Sequence, residues 1–131
     1  MFMRNETLLD RAFSNFKAAE ANWKLIGEDD FFINLSGYLL EQSLELFIKH
    51  HLEINGVKYP HTHDLPTLVN LLNSADDLLG EKLQLFAGTI TTWESKTRYI
   101  KNYFLEKRNV EKGFELIKPL FQNRLDDMSV F

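Results

Sequence analysis

Read as a helix, residues 30–54 have room for only a narrow polar stripe, with Gly37, Glu41, Glu45, Lys49 and Glu53 at steps of four. Most of the remaining circumference is apolar: Phe32, Leu35, Leu39, Leu40, Leu44, Phe47, Ile48 and Leu52. A helix apolar over so wide an arc must touch neighbours on more than one side. The segment from Asp30 to about Ile54 is therefore expected to be a central helix, with Leu44 and Phe47 fully buried. Glu41 and Glu45 are one turn apart on the stripe. That position predicts solvated side chains rather than a catalytic pair.

The rest of the chain supplies the neighbours. Leu9, Ala12, Phe13, Phe16, Ala19 and Trp23 recur at three- and four-residue steps and form one helical face. Gly27 and Glu28-Asp29-Asp30 close that helix and open the central one, since acidic side chains suit the partial positive charge of a helix N-terminus. Asn55-Gly56 is a stop signal, because both residues tolerate the left-handed conformation. Residues 57–63 read as a loop. Asp64 is an expected N-cap, with Pro66 in the first turn of a short helix over 65–73 that buries Leu65, Leu68, Val69 and Leu72. Residues 74–77 (Ser-Ala-Asp-Asp) are a turn or the start of the next helix. That helix carries Leu79, Leu83, Phe86, Ile90, Trp93 and Thr97 on one seam, with Gly88 its weak spot. An irregular stretch at about 96–109 precedes a last helix, capped by Asn109, with core face Val110, Phe114, Ile117, Phe121 and Leu125. Pro119 lies inside that helix, deletes a backbone hydrogen bond and predicts a kink. No stretch alternates with period two long enough to be a strand. The expected fold is all-α: an antiparallel up-and-down bundle of four long helices plus one short helix.

Composition narrows the function classes. At 131 residues, with 44% hydrophobic and 26% charged side chains, the chain is one ordinary globular domain rather than a disordered or fibrous one. The absence of Cys excludes disulfides, thiolate zinc sites, iron–sulfur clusters and a Cys nucleophile, and it suits a reducing cytoplasm. The start lacks a basic segment followed by an apolar run, so no secretory signal is expected. No apolar stretch approaches the roughly 20 residues of a membrane helix.

The net charge of −4 is unevenly spread. Residues 96–118 hold seven basic side chains (Lys96, Arg98, Lys101, Lys107, Arg108, Lys112, Lys118) against three acidic ones (Glu106, Glu111, Glu115). A basic segment in an acidic protein marks either an anion contact or a solvated face matched to an acidic neighbour.

All four His, at 50, 51, 61 and 63, fall within 14 residues. His50 and His51 are adjacent on a helix and diverge by about 100°, and no Glu-x-x-His is present, so no metal site is expected. Neither GxGxxG nor a P-loop occurs, and no Ser or Thr sits in a nucleophile-elbow context. No cofactor is expected.

Three stretches together are more specific. Tyr38-Leu-Leu-Glu41-Gln42-Ser43-Leu-Glu45-Leu-Phe-Ile-Lys49 runs along the central helix. Pro60-His61-Thr62-His63-Asp64-Leu65 follows the turn at Gly56. Trp93-Glu94-Ser95-Lys96-Thr97-Arg98-Tyr99 precedes the final helix. They resemble the HEPN domain family, with its YxxxQxxEKxLKAxL helix, its G…P-x-THDL corner and its ESRYP-like segment. The likeness covers roughly residues 8–126, so residues 1–131 read as a single HEPN-like helical domain. The resemblance implies a bundle that commonly dimerises, in bacterial and archaeal cytoplasmic proteins often encoded beside a minimal nucleotidyltransferase. It implies roles in binding that enzyme's nucleotide, in toxin–antitoxin pairs, or as metal-independent RNases. The RNase site of the family is an Arg followed after four to six residues by His, paired across the dimer.

Here the chain departs from that pattern. With four to six residues intervening after Arg98, the matching positions are Tyr103, Phe104 and Leu105, and no His occurs after His63. Moving the 2′-hydroxyl proton needs a group near neutral pKa, and an unperturbed Tyr is about three units too high. Arg98 is still suited to hold a phosphate, with Lys101, Asn102 and Tyr103 as neighbours in the candidate site. His63 and Asp64 of the THDL corner are expected to be structural.

Three readings remain open. The first is a non-catalytic, homodimeric nucleotide- or RNA-binding subunit, or a partner of a minimal nucleotidyltransferase. The second is an RNase with an altered site using Arg98, Asn102 and Tyr103. The third is a helical interaction module without an anion site, in which Arg98 forms an intramolecular ion pair. Association is expected because Phe2, Phe31, Tyr103, Phe104 and Phe131 have no place on the core seams.

Overall fold

The computed structural model describes residues 6–129. The chain is all-helical, with α1 (Leu8–Trp23), α2 (Phe31–Ile54), α3 (Leu65–Ala75), α4 (Glu81–Ile90), α5 (Trp93–Tyr99) and α6 (Lys107–Ile117). A 3-10 turn (Lys118–Phe121) then leads into α7 (Gln122–Ser129). Helices α4 and α5 are one rod broken at Thr91–Thr92, and α6 and α7 are one rod interrupted at Pro119. With α1, α2 and the short α3, this is a bundle of four long rods and one short helix. Among the described residues there is no strand.

The central helix is α2, which packs against α1, α3, α5 and α6. None of its residues from 32 to 52 is exposed. Leu44 and Phe47 are buried, as the sequence predicts. Phe121, just past Pro119, sits edge-to-face with Phe47 (5.6 Å) and stacks on Phe16 of α1 (5.2 Å), tying three rods together. Gly56 takes φ +69°, the left-handed conformation that ends α2. The Asp64 carboxylate accepts from the Thr67 N–H (3.1 Å) and hydroxyl (2.6 Å), which caps α3.

Four expectations change. The polar stripe of α2 is solvated only at its end, at Glu53: Glu41 and Glu45 are each 3% exposed, and Gly37 is buried. Gly37 instead makes room chiefly for the Leu105 side chain, and Gly113 for the Trp93 ring. The seam from Leu79 to Thr97 is not one helix, because it breaks at Thr91–Thr92 rather than at Gly88. The irregular stretch is shorter than 96–109, since α5 continues to Tyr99. Finally, α6 starts at Lys107 with Glu106 at its N-cap, so Asn109 is already inside the first turn and its N–H bonds to the Glu106 carbonyl (3.0 Å).

The earlier start of α6 has a cause in α2. The buried Asn34 amide donates to the Tyr103 carbonyl (2.9 Å) and accepts from the Leu105 N–H (2.9 Å). One side chain thereby pairs with the backbone of an extended segment, as a neighbouring strand would. Asn102, at φ 61°, turns the chain into this segment, a conformation Asn tolerates better than most residues. Of the aromatic residues without a place on the core seams, Phe31 and Phe104 are exposed and Tyr103 is half-buried, while Phe2 and Phe131 lie outside the described residues.

Candidate functional site

The N-terminus of α5 lacks a side-chain cap of its own. A helix end buried without acceptors for its N–H groups is costly, and α2 supplies one. Glu41 accepts a hydrogen bond of 2.7 Å from the Glu94 N–H. Burial, and the nearby Glu94 and Glu45 carboxylates, push the Glu41 carboxyl up to about 8. It is therefore mostly uncharged at neutral pH. Next to it, Gln42 donates to Glu94 (3.3 Å), and Arg98 makes an i,i+4 ion pair with the same carboxylate (3.3 Å). One turn further along α2, Glu45 is held by Lys49 (3.2 Å) and by Nδ1 of His63 (3.0 Å).

These contacts line a cleft between α2 and α5 with two lobes that share Tyr38, Glu94 and Arg98. The first lobe, about 390 Å³, is walled by Phe31, Leu35 and Thr97 and is largely apolar. The second, about 440 Å³, is polar and adds Glu41, Gln42, His63, Thr91, Ser95 and Tyr99. Both volumes fall in the usual range for small-ligand sites. The carboxylates of the cleft are either uncharged (Glu41) or engaged with cations and amides (Glu45, Glu94). The Arg98 side chain is 65% exposed. Its single pair to Glu94 is of the kind that contributes roughly 0–1 kcal/mol, so the guanidinium remains available to an anion.

Arg98 also stands in an exposed basic segment of the chain, in which Lys107 and Arg108 pair with Glu111 and Glu106. Lys96, Arg98, Lys101, Lys107, Arg108, Lys112 and Lys118 are all exposed. Tyr99 (74% exposed), Ile100 and Phe104 lie among them in the chain and are exposed as well. Basic side chains interleaved with exposed aromatic rings suit a phosphate backbone and stacked bases. A second groove, between α1 and α6, is floored by Trp23 and Phe114 but rimmed by Glu20, Glu111 and Glu115 against Lys24 and Lys118. Its charge disfavours a phosphate.

Of the residues singled out from the sequence, Arg98 and His63 line the same lobe although they are 35 positions apart. Lys101 and Asn102 are exposed on the loop after α5, and the Tyr103 ring lies under Lys96 (5.9 Å); none of the three lines either lobe. Asp64 points its carboxylate at the N-terminus of α3. Glu41, Glu45, Asn34 and Tyr38 are the contributors that the sequence reading did not assign to a site. Asn34 falls on the same face of α2 as Glu41 and Glu45, so its role was hidden by the same stripe. Among the described residues, no three His, Asp or Glu side chains are grouped so as to hold a metal ion, and no helix is long and apolar enough to cross a membrane.

The helical bundle and its THDL corner define a class, and the comparison with family models agrees. The HEPN domain model matches residues 5–123, most of the chain, and the protein belongs to the HEPN domain family. Membership carries a nucleotide- or RNA-related role in general. No curated protein and no solved structure matches the chain.

Proposed function

We propose that this HEPN domain is a non-catalytic nucleotide- or RNA-binding subunit that holds phosphate at Arg98, with the exposed lysines around it as a secondary electrostatic surface. The observation that carries the reading is an exposed Arg98 at the mouth of a two-lobed cleft, bound by one weak ion pair and flanked by exposed Tyr99. The non-catalytic part rests on Tyr103 standing where the family's RNase motif places His. The reading extends to a homodimer joined near the exposed Phe104, and to a minimal nucleotidyltransferase as protein partner.

Binding of a labelled single-stranded RNA, measured by anisotropy, tests the proposal. Arg98→Ala is expected to weaken it, and added salt to weaken it further through counterion release. Intact RNA after incubation with the wild type is the expected companion result. RNA cleavage by the wild type that Arg98→Ala abolishes would replace this reading with an altered-site RNase. Unchanged binding in Arg98→Ala would remove the anion site.

A further inference from the structure

His63 belongs to the THDL corner, and its side chain is 71% exposed on the wall of the polar lobe. Two contacts nevertheless hold it in one pose. Its Nδ1 lies 3.0 Å from both carboxylate oxygens of Glu45, which is almost fully buried. Its backbone carbonyl accepts from the Thr91 hydroxyl (3.3 Å), whose oxygen also accepts from the Leu65 N–H (3.0 Å). A carboxylate only accepts, so Nδ1 carries the proton and donates. Nε2 then lies on the opposite, open edge of the ring, with no hydrogen-bond partner among the described residues.

The rest of the lobe indicates what Nε2 meets. Arg98 at the mouth takes the phosphate, and the adjoining lobe offers Phe31, Leu35 and Tyr38 as an apolar surface for a base. The polar lobe meets the apolar one at Tyr38, Glu94 and Arg98, and its Ser95 and Thr91 hydroxyls, Gln42 amide and carboxylates are already paired within the fold, which leaves Nε2 of His63 to meet a ligand there. A sugar hydroxyl, both donor and acceptor, is the group such a lobe accommodates.

We propose that His63, oriented by Glu45, hydrogen-bonds the ribose 2′-hydroxyl of a nucleotide held at Arg98, so that the cleft prefers ribonucleotides to deoxyribonucleotides. The proposal rests on the nucleotide-binding reading above and adds sugar discrimination to it. The 2′-hydroxyl is the group by which a protein distinguishes RNA from DNA at a given position. His63 is a ligand-contacting residue and Glu45 a positioning residue.

The test compares wild type and His63→Asn for a short labelled RNA, its all-deoxy uracil-containing counterpart and its 2′-fluoro counterpart. Asn places an amide nitrogen near the position of Nδ1, keeps the bond to Glu45 and removes Nε2. Wild type is expected to bind RNA about three- to tenfold more tightly than the deoxy strand, the effect of one hydrogen bond. The 2′-fluoro strand keeps the ribose pucker without the hydroxyl and is expected to bind like DNA. In His63→Asn the RNA-to-DNA ratio falls to near one. Equal wild-type affinity for RNA and DNA, with Arg98→Ala weakening both, overturns the His63 assignment and leaves the binding reading standing. So does a ratio that survives His63→Asn. No binding of any strand by the wild type removes both.

Discussion

Replacing Glu41 by Gln is expected to stabilise the protein, and by an amount that depends on pH. Glu41 is buried, accepts the Glu94 N–H, and titrates at about 8 instead of the ordinary 4.5. Between those values the folded chain keeps a proton that the unfolded chain has released, so stability falls as pH rises through the window and levels off above it. At 1.36 kcal/mol per pH unit, the penalty is negligible near pH 4, about 3 kcal/mol near pH 7 and at most about 5 kcal/mol above pH 8. Gln matches the shape of Glu, and its carbonyl oxygen can still accept the Glu94 N–H, but it has no charge to lose. Urea unfolding at a series of pH values reads the difference directly. The expected curves for wild type and Glu41→Gln converge at acid pH and separate steadily through neutrality, with the variant more stable. Parallel curves, or a variant less stable at pH 8, would mean that Glu41 is ionised in the fold and that its carboxylate is a net stabiliser of the α5 N-terminus.

Other substitutions test the packing and the loop. Phe47→Ala removes a ring in contact with Phe121 at the meeting of three rods and is expected to lose about 3–5 kcal/mol in urea unfolding; a loss below about 1 kcal/mol would contradict the core assignment. Gly113→Ala puts a methyl group within 2.9 Å of the Trp93 ring, and the overpacking is expected to cost about 1–3 kcal/mol with a shifted indole fluorescence; an unchanged spectrum and stability would show that Trp93 is not seated there. Asn34→Asp keeps the acceptor for the Leu105 N–H but turns the donor facing the Tyr103 carbonyl into a second acceptor. At neutral pH it is expected to loosen residues 100–106, seen as faster hydrogen exchange at Leu105, with a loss of about 1–3 kcal/mol; unaltered exchange would remove Asn34 as the clamp of that segment.

The framework of the fold was legible because apolar spacing reports which face of a helix is covered. The α1 face, the breadth of α2, the Asp64 cap with Pro66, and the interruption at Pro119 all follow from local pattern. The site was half legible. Arg98 emerged from a motif at its own position, but its companion in the cleft, His63, is 35 residues earlier and meets it only through the docking of α5 on α2. Glu41 and Glu45 looked solvated because a polar residue on a stripe usually is. What buries them is the need of another helix's N-terminus, and of a loop histidine, for an acceptor, and neither need is visible in the α2 sequence. The start of α6 was misplaced at Asn109 for a similar reason: the segment before it is held by Asn34, some 70 positions away. Periodicity describes the surface a helix offers and is silent on which backbone groups come to meet it.

The central claim is that nucleotide or RNA binds between α2 and α5 at Arg98. A backbone amide NMR titration of the intact chain with a short single-stranded RNA tests it most directly. The account predicts shift changes at Tyr38–Gln42, Thr91–Tyr99 and His63, lost in Arg98→Ala, with the Trp23–Phe114 groove unmoved. Changes confined to that groove, or no changes at RNA concentrations that saturate the basic surface of other nucleic-acid-binding domains, would contradict it.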